Sequence, residues 1–292
     1  MSLPLQNQQI REFAPQGNQI ITFGAAVQVV NWDNVLPQNT DLLSFGLSEL
    51  VTTVAVNDPL TAVWITNISI TVNGTFEIVR DFTRAEYINI VQNLESKEAD
   101  IISNGNHLFK SFKPALPKGT RVQISITVNT LALGLTTPAA TAIGRAVMNA
   151  YDTRAKTGNS LVIYQRISQF PTPVGVVLNQ PVEKDLGTEI KTVKFLIIRE
   201  FTVAVLTDTF TSRMEISADG NPIARIQETV GKKHYSLIAD GLAVPVGYRM
   251  FKLPGRGWNA AQAKTLVLKV QAHTTVATGS WDGFQVLVKT FV

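Results

Sequence analysis

Histidine is the residue type that most often supplies acid–base chemistry in enzymes, and this chain has three. A catalytic histidine or an activated nucleophile needs a partner group held beside it. His107 and His234 follow loop-like residues, and His273 lies at a polar position of a predicted strand. No two of them share a helical turn, and no GxSxG, HExxH or GxxxxGK[ST] motif is present. We therefore predict no catalytic residues and no enzymatic activity.

Four carboxylates near predicted turns are the next candidates for chemistry: Asp208, Asp219, Asp240 and Asp282. Aspartate in a turn accepts hydrogen bonds from nearby backbone N–H groups. No ladder of oxygen ligands like that of an EF-hand accompanies these residues. Turn formation is favoured over calcium binding, and we predict no metal site and no cofactor. A glycosidase-like pair of carboxylates leaves no signature in sequence spacing, so that class of enzyme stays a third alternative.

The four tryptophans of the chain suggest a different function, the binding of carbohydrate. Their rings could stack on sugars, but tryptophan is equally a residue of cores and subunit interfaces. The four are Trp32, Trp64, Trp258 and Trp281. Packing is the favoured interpretation for each of them. The alternative function is a non-catalytic carbohydrate-binding or adhesin-like β-sandwich of two domains.

The composition excludes several broad classes of protein. Charged residues make up only 16% of the chain, against roughly 25% in typical soluble domains, so much of the surface is uncharged. The net charge of +4 comes without a basic stripe, and we predict no sequence-specific nucleic-acid binding. The absence of cysteine argues for cytosolic assembly. The first 19 residues do not resemble a signal peptide, and no stretch reaches the roughly 18 apolar residues of a membrane helix, so we expect a soluble chain.

Period-two alternation dominates the chain from about residue 20 onward. Short runs rich in Val, Ile and Thr are separated by Gly, Pro, Asn and Asp. In RVQISITVN, residues 121–129, four aliphatic residues alternate with polar ones, which predicts a half-buried antiparallel strand. The dipeptides Asn73-Gly74 and Asp219-Gly220 tolerate the positive φ of a tight hairpin. These patterns predict an all-β fold.

Three segments depart from the alternation and suggest the domain organisation. The beginning of the chain is rich in Gln, Asn and Pro, which predicts an extended arm. An Ala-rich segment follows a possible N-cap at Thr137 and Pro138, which predicts a helix at about 138–154. A segment with three prolines resembles a linker. The predicted division is an arm at 1–19, a first domain at 20–168, a linker at 169–190 and a second domain at 191–292.

Landmarks recur in the two halves in one order, as expected for a duplicated domain. The offsets of the first four pairs are 149, 146, 148 and 144 residues, close to half of the 292-residue length. A fifth pair has an offset of 121, which we attribute to the predicted helix in the first half. The pairs are Thr53-Val54-Ala55-Val56 with Thr202-Val203-Ala204-Val205; Ile68, Ile70, Val72 and Asn73-Gly74 with Met214, Ile216, Ala218 and Asp219-Gly220; Tyr87 with Tyr235; Val122, Ile124, Ile126 and Val128 with Leu266, Leu268, Val270 and Ala272; and Thr157-Gly158 with Thr278-Gly279.

This arrangement resembles the double jelly-roll major capsid proteins of icosahedral viruses, a family that includes coat proteins of tailless phages with an internal membrane. The resemblance covers about residues 20–292. It depends on the paired landmarks, on the helix predicted between RVQISITVN and SLVIYQRIS, and on the polar arm. It implies two consecutive eight-stranded antiparallel jelly-roll sandwiches with a short helix inserted in the first.

The resemblance also implies a function. A major capsid protein is a structural virion protein that assembles as pseudo-hexagonal homotrimers into an icosahedral shell around the genome. Its partners would be copies of itself, other capsid proteins such as penton or minor proteins, and in some members an internal lipid membrane. Its location would be the virion, with assembly in the host cytoplasm. No functional site residue is singled out by the resemblance.

Overall fold

A computed structural model describes the following parts of the chain: residues 9–13, 15–16, 20–22, 27–51, 65–92, 101–103, 106–112, 116–129, 141–150, 160–171, 175–188, 191–227, 245–253 and 257–290. The chain forms two compact units, Met1–Asn159 and Ser160–Val292. Within the described ranges, no helix is long and apolar enough to cross a membrane.

The first unit consists of two antiparallel sheets. One sheet has the order β1-β10-β4-β8-β7 with β2 beside β10, and the other has the order β3-β9-β5-β6. The strands are β1 (Gln9–Phe13), β2 (Ile20–Thr22), β3 (Gln28–Val35), β4 (Thr40–Val51), β5 (Ile65–Val72), β6 (Phe76–Phe82), β7 (Ile101–Ser103), β8 (Asn106–Phe112), β9 (Arg121–Val128) and β10 (Thr141–Ala150).

The second unit also consists of two antiparallel sheets. One has the order β11-β20-β13, with β14, β17 and β18 also paired to β13, and the other has the order β12-β19-β15-β16. The strands are β11 (Ser160–Phe170), β12 (Val182–Asp185), β13 (Thr192–Thr202), β14 (Val205–Leu206), β15 (Thr211–Ala218), β16 (Asn221–Gln227), β17 (Tyr248–Lys252), β18 (Trp258–Asn259), β19 (Leu266–Ala272) and β20 (Gly279–Thr290).

The two units share one connectivity, that of a jelly roll. In each, the chain passes back and forth between two sheets, and its first and last strands are neighbours in the same sheet. The orders coincide when β1 and β2 are matched to β11, β3 to β12, β4 to β13, β5 to β15, β6 to β16, β8 to β17, β9 to β19 and β10 to β20. The predicted fold class, two consecutive jelly rolls, is confirmed.

The cores are built by the alternation that the sequence displays. In β9 the side chains of Val122, Ile124, Ile126 and Val128 are at most 3% exposed, while the residues between them reach the surface. Strand β19 repeats the pattern with four fully buried residues at 266, 268, 270 and 272. Each buried aliphatic side chain contributes roughly 1.5–3 kcal/mol. The landmark pairs that join β9 to β19 and β5 to β15 therefore mark equivalent strands.

Both predicted hairpin turns are confirmed. Asn73 and Gly74 have φ values of 52° and 66° between β5 and β6, and Asp219 and Gly220 have φ values of 48° and 81° between β15 and β16. Asparagine, aspartate and glycine are the residues that tolerate this left-handed conformation.

The helix predicted at 138–154 is wrong, because residues 141–150 form strand β10. This strand pairs with β4 on one side and with β1 and β2 on the other. Pairing on both edges outweighs the local preference of alanine for a helix. The short helix of the first unit is instead α1 (Arg84–Glu86), where Thr83 and Glu86 form a capping box, and a π-helical turn follows at Tyr87–Gln92.

The predicted domain limits also need correction. Strands β11 and β12 pair with β20 and β19, so residues 160–185 contribute two strands of the second jelly roll. Pro171 and Pro181 lie between β11 and β12, inside that domain, and the division falls after Asn159. Part of the predicted arm 1–19 pairs with β10 as β1.

One repeat landmark joins two strands that are not equivalent, because the predicted boundary assigned β11 to the first domain. Thr157-Gly158 precedes β11, and Thr278-Gly279 lies at the start of β20, and these two strands are neighbours in one sheet rather than equivalent strands. Residues 53–56 and Tyr235, which belong to two further landmarks, lie outside the described residues.

Candidate functional site

The histidines considered for chemistry belong to different parts of the chain. His107 lies in β8 of the first unit, His273 is exposed just after β19, and His234 lies outside the described residues. Across the part of the chain that the structure describes, no group of three or more histidine, aspartate or glutamate side chains could hold a metal ion.

Asp219 and Asp208 lie between strands, as predicted, but their carboxylates accept backbone N–H groups that are distant in sequence rather than local ones. Asp219 Oδ1 accepts hydrogen bonds from the backbone N–H groups of Thr265 and Lys264 at 2.8 and 2.9 Å, and these bonds hold the pKa of the carboxyl below its usual value. Asp208 accepts from the N–H of Gly247 at 2.7 Å. For Asp282 the prediction is wrong, because it lies within β20. Asp240 lies outside the described residues.

The tryptophan positions favour packing over sugar binding. Trp32 is 2% exposed in the first unit and Trp281 is fully buried in the second, where its ring lies 5.3 Å from that of Phe210. The Trp281 indole N–H donates to Thr211 Oγ1 at 2.7 Å. Trp258 is half-buried in β18, and Trp64 lies outside the described residues. The packing prediction is confirmed for Trp32 and Trp281, whose rings offer no open face to a sugar.

A polar depression of about 320 Å³ lies on the outer face of the sheet that contains β3, β5 and β9. Asp33 and Gln123 line it; Gln123 donates to Asp33 Oδ2 at 3.2 Å, and Arg121 Nε donates to Asp33 Oδ1 at 2.7 Å. The hydrogen bond from Arg121 lowers the pKa of Asp33. The carboxylate is thus occupied by its own neighbours, and the depression has no free acid–base pair.

Sequence reasoning missed a buried charge in the second unit. Glu200 on β13 is 0% exposed, and its carboxylate receives backbone N–H groups of three successive residues. Thr209 and Phe210 donate to Oε1 at 2.6 and 2.9 Å, and Thr211 donates to Oε2 at 2.9 Å. The Thr211 hydroxyl also donates to this carboxylate. These hydrogen bonds hold the connection between β14 and β15 against β13, the central strand of its sheet.

Arg249 on β17 is the cation that accompanies this carboxylate. Its Nη2 lies 2.9 Å from Glu200 Oε2, its Nη1 lies 3.6 Å from Asp208 Oδ1, and its side chain is fully buried. Breaking a buried pair by removing one partner is strongly destabilising, since the other charge stays in a poorly solvating interior. Glu200 and Arg249 are distant in sequence, and no local motif could have paired them.

A second ion pair is formed by the preceding residue of β13, Arg199. Arg199 donates to both oxygens of Asp282 at 2.7 and 2.6 Å across β13 and β20. Its guanidinium carbon lies 5.2 Å from the ring centres of Phe201 and Phe284. Successive residues of a strand face opposite sides of its sheet. The Arg199–Asp282 pair and the Glu200–Arg249 pair therefore lie on opposite faces of the sheet that contains β13.

These contacts order the loops at one end of the second jelly roll. We name this region the loop end, which comprises the described residues of the connections at 171–181, 203–210, 245–247 and 273–278. Val176 and Val276 exchange backbone hydrogen bonds of 2.8 and 2.9 Å, and the N–H of Val203 donates to the Thr278 carbonyl at 3.3 Å. The N–H of Glu200 donates to the Gly247 carbonyl at 2.9 Å. These bonds join the described loops into one defined surface.

Comparison with known proteins adds a likeness of fold. No protein-family model matches the sequence, and no curated protein matches it at a significant level. Among solved structures, the STIV MCP is 9% identical with a TM-score of 0.61 over 97% of each chain. The major capsid protein P2 from Bacteriophage PM2 is 11% identical with a TM-score of 0.59, over 96% of this chain and 97% of its own.

A third structure agrees, the PBCV-1 virus capsid, which is 12% identical with a TM-score of 0.59 over 99% of this chain and 95% of its own. These matches extend over nearly the whole of each chain, so both units and their order are shared. At these identities the likeness concerns the fold. The chain has the double jelly-roll fold of viral major capsid proteins.

Proposed function

We propose that this chain is a structural virion protein, a major capsid protein that assembles as pseudo-hexagonal homotrimers into an icosahedral shell enclosing the genome. The observation that carries the proposal is the presence in one chain of two jelly rolls whose matched strands follow the same order. Three copies of such a chain place six similar units around one axis. The capsid proteins of similar structure make the proposal specific.

Physical chemistry favours this role over catalysis. The buried charges of Glu200 and Arg249 are paired with each other and hydrogen-bonded to the backbone inside the second unit. A cyclic trimer closes its own heterologous interface and leaves the outer faces free for lattice contacts. A surface with few charged residues suits a protein surrounded by neighbours. The shell, rather than a substrate, is the proposed partner, together with other capsid proteins such as penton or minor proteins.

The first test is the mass of the purified full-length chain in solution, measured by light scattering over a wide range of concentration. We expect a stable species of about three times 31.9 kDa. Negative-stain electron microscopy of that species should show particles of hexagonal outline. A chain that stays monomeric at every concentration would contradict the proposal, and a monomer that binds an oligosaccharide would favour the carbohydrate-binding module.

A further inference from the structure

Exposed aliphatic side chains are concentrated at the loop end of the second unit. Among the described residues of that unit, five large aliphatic side chains are strongly exposed, and all five lie there. Single exposed aliphatic residues are ordinary, whereas a cluster of them marks a surface that meets a partner. We name the five the apolar cap: Val177 (44% exposed), Leu178 (48%), Val203 (67%), Val205 (69%) and Val246 (62%).

The apolar cap is one surface because its loops are bonded together. The loop with Val177 and Leu178 is tied to the connection at 273–278, where Leu178 N–H donates to Thr275 Oγ1 at 3.2 Å. The Val203 N–H is bonded to the same connection through Thr278. Val246 precedes Gly247, whose N–H is held by Asp208 and whose added Cβ would lie 2.9 Å from Leu206.

The tip of the apolar cap is built from residues that fit its backbone poorly. Val203 and Ala204 have φ values of 58° and 80°, and a left-handed β-branched residue is a rare, strained conformation. Two other hairpins of this chain use Asn73-Gly74 and Asp219-Gly220 for such a turn. Valine at this turn lowers the stability of the fold through backbone strain, and its side chain stays exposed to solvent. Such a residue is explained when a partner buries it.

The sequence indicates that the partner is a second copy of the chain. Thr202-Val203-Ala204-Val205 at the end of β13 recurs as Thr53-Val54-Ala55-Val56, which follows β4, the strand equivalent to β13. The same tetrapeptide therefore occurs in the sequence at the end of two equivalent strands, one in each unit. An assembly in which the two units alternate around an axis requires equivalent contacts from both. A partner of another kind would require the motif only once.

The size of the apolar cap agrees with a contact between copies. Five half-exposed aliphatic side chains form a patch on the order of a few hundred Å², which is the size of functional patches on monomers. A standard interface buries about 800 Å² on each partner, and somewhat more than half of that area is apolar. The apolar cap therefore supplies much of the apolar part of one interface.

We propose that the apolar cap is the surface through which the chain contacts a second copy of itself in the trimer. This inference rests on the proposed capsid function and specifies where self-association occurs. Glu200 is a positioning residue for it, because its carboxylate and carbonyl anchor residues 207–211 behind the tip.

The test is the double variant Val203→Asn with Ala204→Gly in the full chain, studied by sedimentation velocity at several concentrations. These residues suit a left-handed turn, so the thermal midpoint of the monomer should be unchanged or higher. The trimer should dissociate at a concentration roughly tenfold or more above that of the wild type, because buried valine is lost from each contact. Val246→Ser, outside the left-handed turn, should also weaken the trimer.

Val35→Asn is the matched control, since Val35 is 61% exposed on β3 of the first unit. It should leave the trimer unchanged. If the double variant and Val246→Ser associate like the wild type, or if Val35→Asn weakens the trimer equally, the inference fails while a trimeric wild type still supports the proposed function. If the wild type never associates, both fail.

Discussion

Removing one partner of the buried Glu200–Arg249 pair should destabilise the second unit. In Arg249→Met the carboxylate keeps its backbone donors but loses its buried cation, 2.9 Å away. We expect the free energy of unfolding to fall by about 3–5 kcal/mol, because an uncompensated charge stays in the interior. Urea denaturation followed by tryptophan fluorescence measures the loss.

Arg225→Met is the matched control for this change. Arg225 Nε lies 2.6 Å from Glu215, but its side chain is 54% exposed, and Arg213 also contacts the same carboxylate at 3.0 Å. Exposed pairs contribute little because water already solvates both charges. The control should cost no more than about 1 kcal/mol, and an equal loss in both variants would contradict the role of the buried pair.

At the scale of elements, the turn between β15 and β16 predicts an acid-sensitive stability. The folded-state pKa of Asp219 is lowered from 3.8, chiefly by the hydrogen bond from the Thr265 N–H. The ionised carboxylate therefore adds stability above pH 3.8, which is lost as the pH falls through the lower, folded-state pKa. We expect Asp219→Asn to unfold at lower urea than the wild type at neutral pH, with the difference disappearing in acid.

The equivalent turn of the first unit supplies the control. Asn73 occupies the same turn position, and its Oδ1 accepts the backbone N–H of Arg121 at 2.9 Å. The reciprocal change, Asn73→Asp, should add an acid-sensitive contribution. An Asp219→Asn variant that keeps the full pH dependence of the wild type would show that the acid-sensitive stability comes from other carboxylates.

The same elements show which structure can be predicted from sequence. The alternation of β9 and the Asn73-Gly74 turn are local signals, and each leads to the correct structure. Strand β10 has an alanine-rich, helix-like sequence but is bonded on both sides by distant strands. The pairs Glu200–Arg249 and Arg199–Asp282 likewise depend on strands brought together by topology. What sequence reasoning misses here is decided by non-local pairing.

The duplication of the chain can be detected from the sequence because equivalent strands keep their order. The sequence nevertheless places the boundary between the two domains after β11 rather than before it. The interpretation of β11 as the last strand of the first domain followed from the misassigned helix. The correct last strand is β10, and β11 begins the next jelly roll with a row of buried residues: Leu161, Ile163, Tyr164, Ile167 and Phe170.

This boundary makes a prediction about fragments. Ser160–Val292 contains every described strand of the second jelly roll and should unfold cooperatively by itself, as a unit with its own core does. The fragment 191–292 lacks β11 and β12, which leaves the edges of β20 and β19 unpaired and removes the aromatic core residues of β11. Open edges favour aggregation over folding.

Thermal unfolding by near- and far-ultraviolet circular dichroism distinguishes the two fragments. We expect a sharp transition with native aromatic signals for 160–292, and a broad transition or precipitation for 191–292. Cooperative unfolding of the shorter fragment would mean that β11 is dispensable and that the second core is completed by the strands after Ile190. Failure of the longer fragment alone would mean that each jelly roll needs the other to fold, which would make the duplicated chain, rather than the single domain, the unit of stability.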